Sequence, residues 1–283
     1  MKRYLLPFLT LVLASAAIAQ APNEQKTFSP EEIAAESKRV NDFFDKTFDD
    51  YVARNPETAA QLGLKIDYDK WEDRSDASNI EELARSLQNL ATLKREFDFA
   101  KLDSQTQLSY QLFEYQAQRR AEGFPYRFHN YPVNQMYGIQ SQVPTFLMNI
   151  HRVDTLADAE AYIARLNGVP KVFEQVMRGL EIRAEEGIIA PKFTFPLVLD
   201  ACRRLLTGAP FDNSGGSSTL LEDFTKKVGG LKEIDDATRE RLLNEARTAL
   251  QNSLQPAYQQ LISYLEALEK RAPVEGGAWQ FPN

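Results

Sequence analysis

The chain has 283 residues, 43% hydrophobic and 26% charged, a balance that can bury a core and fits an ordinary globular protein. Its formal net charge of −7 argues against a nucleic-acid partner. Its single cysteine, Cys202, excludes an internal disulfide; with Ala201, Leu205 and Leu206 as neighbours it reads as a small buried hydrophobe rather than a nucleophile.

Residues 1–19 read as a secretory signal peptide: Lys2 and Arg3, an apolar run over residues 4–13, then small residues ending in Ala17-Ile18-Ala19. Cleavage is expected after Ala19, leaving a mature chain of charge −9 in the periplasm or outside the cell, with no membrane anchor. An uncleaved anchor is the weaker reading, because the apolar run is short for a bilayer. No cysteine follows the cleavage point, which argues against lipid attachment. Residues 20–29 read as a linker, and 30–283 as a helical unit.

Ser29-Pro30-Glu31-Glu32 combines an N-cap, a proline at the first helical position and two acids at the positive end of the helix dipole. The helix it starts carries Ile33, Val40, Phe43, Phe44, Phe48, Tyr51 and Val52 on one apolar face. Asn55-Pro56-Glu57 ends that helix and begins a short one closing at Gly63. After an aperiodic segment, Ser78 is the expected cap of a third helix with Leu83, Leu87, Leu90 and Phe97 at helical spacing. Asp103 or Ser104 caps a fourth, whose buried face is predicted to carry Leu108, Leu112 and Tyr115, and which ends at Gly123 and Pro125.

Further helices are predicted over residues 155–167, 169–186 with Gly187 as C-cap, and 193–206. Residues 208–218 read as a flexible loop. A short helix then closes at Gly229-Gly230, and a last one runs from Asp235-Asp236 to about Lys270, with a kink or break near Gln255 imposed by Pro256. Alternating strand patterns are nearly absent. The predicted fold class is therefore mainly α, a multi-helix array with irregular loops and no significant sheet. Trp279 and Phe281 near the end suggest a tail that docks on something.

The motifs exclude more chemistry than they propose. His129 and His151, the only histidines, stand far apart and neither opens an HExxH motif. Neither G-x-S-x-G nor S-x-x-K occurs. The acid pairs Glu31-Glu32, Glu81-Glu82 and Asp235-Asp236 sit at helix starts, where the dipole alone favours them. Arg119-Arg120 and Arg203-Arg204 fall within helical patterns and read as solvated faces. The stretch "FHNYPVNQMYGIQSQVPTFLMNIH", residues 128–151, is different: it holds no charged side chain except its histidines, and it concentrates Asn130, Asn134, Gln135, Gln140 and Gln142 with Tyr131, Tyr137 and Phe146. Side-chain amides donate and accept, so the stretch suits recognition of a peptide backbone or a sugar. It equally suits a loop between helices whose amides satisfy backbone groups that no helix ladder reaches.

At "YPVNQMYGIQSQVPTFL" the sequence resembles the DUF885 family of bacterial zinc-metallopeptidase-like proteins. Similar blocks lie on both sides of it, in the family's order: "FFDKTFDDYVARNPETAAQLGL" and "LSYQLFEYQ" before, "ADAEAYIARLNGVPKVFEQV" and "EEGIIAPKF" after. The resemblance covers the chain from about Val40 onward and corresponds to the family's N-terminal portion. It implies zinc held by an HExxPGH-like helix in a C-terminal portion, so no catalytic or metal residue is expected in this chain. It implies further that Asn134, Gln135, Gly138 and Gln140 face a groove and orient peptide amides. Two readings follow: the helical portion of an exported metallopeptidase-like protein, inactive alone and holding peptide when completed by a catalytic half that could dock through Trp279 and Phe281; or a free-standing periplasmic helical binding module.

Overall fold

A computed structural model describes residues 27–277 and 281–282 of the chain. The expected signal peptide, most of the expected linker and Trp279 lie outside the described residues. Among those described the structure is helical, and the one β feature is an isolated bridge between Ala209 and Ser217.

Helix α1 (Pro30–Arg54) begins with a reciprocal cap: the Ser29 hydroxyl accepts from the Glu32 N–H at 3.2 Å, and the Glu32 carboxylate accepts from the Ser29 N–H at 2.9 Å. Pro56 opens α2 (Pro56–Gln61), and Gly63 takes the left-handed φ of +80° that stops it. Helix α3 (Asp76–Glu96) starts three residues earlier than expected. Ser75 is extended and its hydroxyl accepts from the Ser78 N–H at 3.2 Å, so Ser78 is the capped residue and not the cap. In α4 (Ser104–Gly123), capped by Asp103, the expected buried face is overturned. Leu108, Leu112 and Tyr115 are exposed, whereas Thr106, Tyr110 and Ala117 are buried. Both faces carry apolar residues at helical spacing, and the aromatic partners decide between them: Tyr110 meets Phe99, and Phe113 meets Phe43 and Phe44. Val40, Leu93, Leu102 and Tyr110 form the small core that holds α1, α3 and α4 together.

Residues expected to form one irregular stretch divide into a loop and α5 (Ile139–Asn149), whose last carbonyls, Leu147 O and Met148 O, accept from Lys227 Nζ at 2.6 and 2.9 Å. The two helices expected over 155–186 are one, α6 (Leu156–Glu185). Pro170 deprives one carbonyl of its donor, yet Leu166, Val169, Val172 and Phe173 are buried along one unbroken face, and each such burial contributes about 1.5–3 kcal/mol. Gly168 lets that face approach Trp71 closely, since a Cβ there would stand 2.9 Å from Trp71 Cδ1. Gly187 ends the helix at φ +80°.

The remaining helices α7 (Thr194–Leu205), α8 (Thr219–Gly229), α9 (Asp236–Ala249) and α10 (Gln255–Glu269) pack around α6 and α5. The interruption expected from Pro256 is a wide π turn at Leu250–Leu254, which lets the helix continue past the proline. Cys202 is buried in this core, and burial pushes its thiol up to about 12, in keeping with an inert hydrophobe. The 208–218 segment, expected to be flexible, is tied: the Asp212 carboxylate accepts from Gly208 N–H and Ser214 N–H, and the backbones of Ala209, Gly216 and Ser218 bond across it.

Candidate functional site

The loop before α5 is built by its own amides. Asn134 Oδ1 accepts from the N–H groups of Met136 and Tyr137, both at 2.9 Å, while its Nδ2 donates to Tyr131 O at 2.9 Å. Gln140, buried at the start of α5, donates its side-chain amide to Asn134 O at 2.6 Å, and its backbone carbonyl accepts from the Tyr258 hydroxyl at 2.7 Å. Between them Gly138 leaves no room for a side chain: a Cβ would stand 2.1 Å from Gln140 Oε1 and 2.4 Å from Asn134 N. The structure therefore brings Asn134, Gly138 and Gln140 together as a knot whose polar atoms are largely spent on the loop itself. Gln135 is exposed and stands apart from it.

Of the knot, Asn134 alone reaches the lining of a cleft of about 470 Å³ between the loop, α3 and α6. Asn130, Tyr131, Tyr137 and Gln142 line it from the loop side. Arg74, Asn79, Arg127, Gln175 and Arg183 complete it. Tyr137 is 68% exposed on this loop, next to Met136 at 77%. Gln142 donates its amide to Tyr137 O at 2.8 Å, which leaves its carbonyl oxygen available to accept. A separate apolar hollow behind Tyr131 and Arg183 has about 20 Å³, room for no more than a water.

Three arginines set the electrostatics of the cleft. Arg74 is paired with Glu57 at 2.7 Å. Arg127 grips Asp76 at two points, 2.6 and 3.0 Å, which holds the Asp76 carboxyl below the usual carboxylate range and raises the guanidinium. Arg183, 8% exposed, has neutral partners: Nε donates to Asn130 O at 3.1 Å, Nη2 to Asn130 Oδ1 at 2.7 Å and Nη1 to Gly179 O at 2.8 Å. Burial lowers its pKa, and Asp76 and Glu186 act the other way from a distance.

These arginines were not singled out in the sequence, although Arg183 carried a signal. It follows Val169, Phe173, Val176 and Leu180 on the buried face of α6, where a charge is out of place. Arg165 breaks the same face about five turns earlier. It is fully buried among Tyr68, Trp71 and Phe146, donates to His151 Nδ1 at 3.0 Å and to Lys70 O at 3.1 Å, and burial pushes it down to about 10. Because an arginine can only donate, His151 Nδ1 must accept, so Nε2 carries the proton and donates to Asp158 O at 2.9 Å.

The described residues do not fit the zinc that the resemblance implies. Both nitrogens of His151 are engaged, and its ring is buried and stacked on Tyr68. His129 lies against Tyr126 and Phe281. No group of three or more His, Cys, Asp or Glu among the described residues is placed to hold a metal ion. Phe281 is half-buried on its own chain, against His129 and Tyr131.

Fold and cleft together define an all-helical protein with a polar, arginine-lined groove. The chain belongs to the DUF885 family, described as "Bacterial protein of unknown function", whose family model matches residues 56–281. It is similar in fold to the solved structure of a "putative lipoprotein" from Colwellia psychrerythraea, with a TM-score of 0.70 and 17% identity over 87% of this chain. The match takes up 44% of that protein, so the chain spans less than half the length of this structural relative. No curated protein matches. Among the described residues no helix is long and apolar enough to cross a membrane.

Proposed function

We propose that this chain is the peptide-holding helical portion of an exported DUF885 protein, with the 470 Å³ cleft as the groove. The observation that carries this reading is the composition of the cleft wall: side-chain amides and tyrosines from the loop face Arg183 of α6, Arg74 just before α3 and Arg127 just after α4, a mixture suited to the alternating donors and acceptors of an extended backbone. Asn134, Gly138 and Gln140 serve it indirectly by fixing the loop, while Gln142, Tyr137 and Asn79 supply contacts; Gln135 remains a candidate contact outside the cleft lining. If the wider protein hydrolyses peptides with zinc, the metal ligands come from outside the described residues. The chain alone is then a binding part, inactive as a peptidase. Residues 1–19 act as the export signal.

The test is photo-cross-linking with short peptides carrying a diazirine, followed by mapping of the adducts. Adducts concentrated over residues 128–142 and around Arg74 are expected. Adducts scattered over the surface, or none, would remove the reading. A free-standing binding module is the second reading. It is favoured by the continuous core running from Val133 to Leu268 and by the seating of Phe281 on His129 and Tyr131. One cooperative unfolding transition without dye binding supports the module, whereas exposed apolar surface and aggregation support a portion that needs completion.

A further inference from the structure

Among the described residues, the cleft holds one positive charge that has no ion-pair partner. Glu57 answers Arg74 and Asp76 answers Arg127, but Arg183 makes no ion pair among the described residues. Asp76 and Glu186 are near enough to act on it electrostatically, and neither is bonded to it. Of its five N–H groups three are taken by Asn130 O, Asn130 Oδ1 and Gly179 O, which leaves one on each terminal nitrogen. That remaining pair has the spacing of a carboxylate's two oxygens. A buried guanidinium without a counter-ion is costly, and an incoming anion would offset that cost, so the site favours ligands that bring one.

Charge count selects the anion. With Arg74 and Arg127 already matched, one negative charge balances the cleft, whereas a dianionic phosphate would leave it with an excess. Elsewhere in the lining of the same cleft, the carbonyl oxygen of Gln142 can accept an N–H, which a simple carboxylic acid lacks and a peptide has. We infer that the cleft seats the C-terminal carboxylate of a peptide, bound end-on by the two free N–H groups of Arg183, with Gln142 accepting a backbone N–H of the same peptide. This rests on the peptide-holding reading above and adds that the groove reads a chain end and not an internal segment.

Calorimetric titration of the purified chain with N-acetylated tetra-alanine, as the free acid and as the C-terminal amide, tests the inference. The acid is expected to bind at least tenfold more tightly. In Arg183→Lys, which keeps the charge and loses the fork, the acid should weaken about tenfold more than the amide does. The acid–amide comparison in the unaltered chain decides the matter even if that variant does not fold. Equal affinity for acid and amide overturns the inference and leaves the peptide groove standing. Absence of binding by both removes the groove as well. Displacement of the acid by an equal concentration of inorganic phosphate would also overturn it, by showing a general anion site.

Discussion

His151 is the residue whose environment makes the sharpest solution prediction. Burial holds its pKa down to about 4, from an ordinary 6.5, and the facing Arg165 guanidinium adds to that; the bond to Asp158 O works in the opposite direction. An unfolded chain takes up a proton there near pH 6.5, whereas the folded chain refuses it until about pH 4. The stabilising contribution is therefore complete above the unfolded pKa and is lost as pH falls, by about 1.4 kcal/mol per pH unit within that window. Urea unfolding at pH 7 and pH 5 should differ by about 2 kcal/mol, and the difference should shrink in His151→Gln. Equal stabilities would mean that the ring reaches solvent. Arg165 is coupled to the same site: Arg165→Ala would leave His151 Nδ1 and Lys70 O without donors and open a gap among three aromatic rings, so a loss of about 3–5 kcal/mol is expected in the same assay. Gly138→Ala acts on the loop knot. Its φ is ordinary, but the new Cβ would collide with Asn134 backbone as well as the Gln140 side chain, so a drop in Tm with misplacement of Tyr137 is expected.

Elements were legible in the sequence where local chemistry sets them and less so where packing does. The Ser29 N-cap, the Asn55-Pro56 break and the Gly187 stop all lie in side chains and backbone within a turn of each other, and the structure has them where the sequence puts them. The continuity of α6 through Pro170 depends on what its face buries several helices away, which no local pattern states. The inversion of α4 has the same origin, and it gives a direct comparison. Leu112→Ser on the exposed side should change stability by less than about 0.5 kcal/mol, while Tyr110→Ala should cost about 3 kcal/mol, measured by denaturant midpoint. The reverse order would restore the face that spacing alone predicts. At the site, Asn134, Gly138 and Gln140 were found as a group, but their amides hold the loop. The arginines that charge the cleft come from positions 74, 127 and 183, which only the fold brings together.

On the scale of the whole molecule, the chain is unevenly held. The core around α6 joins α5, α7, α8, α9 and α10 through fully buried side chains such as Leu166, Phe173, Phe224, Leu250 and Tyr258. The helices α1, α3 and α4 share a much smaller core and leave Phe48, Leu108 and Leu112 exposed. Between the two lies the segment 62–75. It is anchored by Trp71 Nε1 donating to Arg165 O at 2.8 Å, by Tyr68 bonded to Arg152 and by Arg74 N–H donating to Gln175 at 2.9 Å. Local opening free energy follows buried apolar contact, so amides of α1 and α4 should exchange with deuterium well before those of α6 and α10. Trp71→Ala should widen that gap, because it cuts the anchor where the segment packs on the edge of the larger core and leaves the smaller core without that support. If α1 and α4 instead exchange together with α6, at one common rate set by global unfolding, the two cores form one cooperative unit. The cleft, whose lining comes from the α3 side and from α6, would then be rigid without a ligand. If they exchange early, peptide binding across the cleft should slow their exchange, which makes protection of α3 and α4 by a bound peptide a readout of the groove independent of any chemistry.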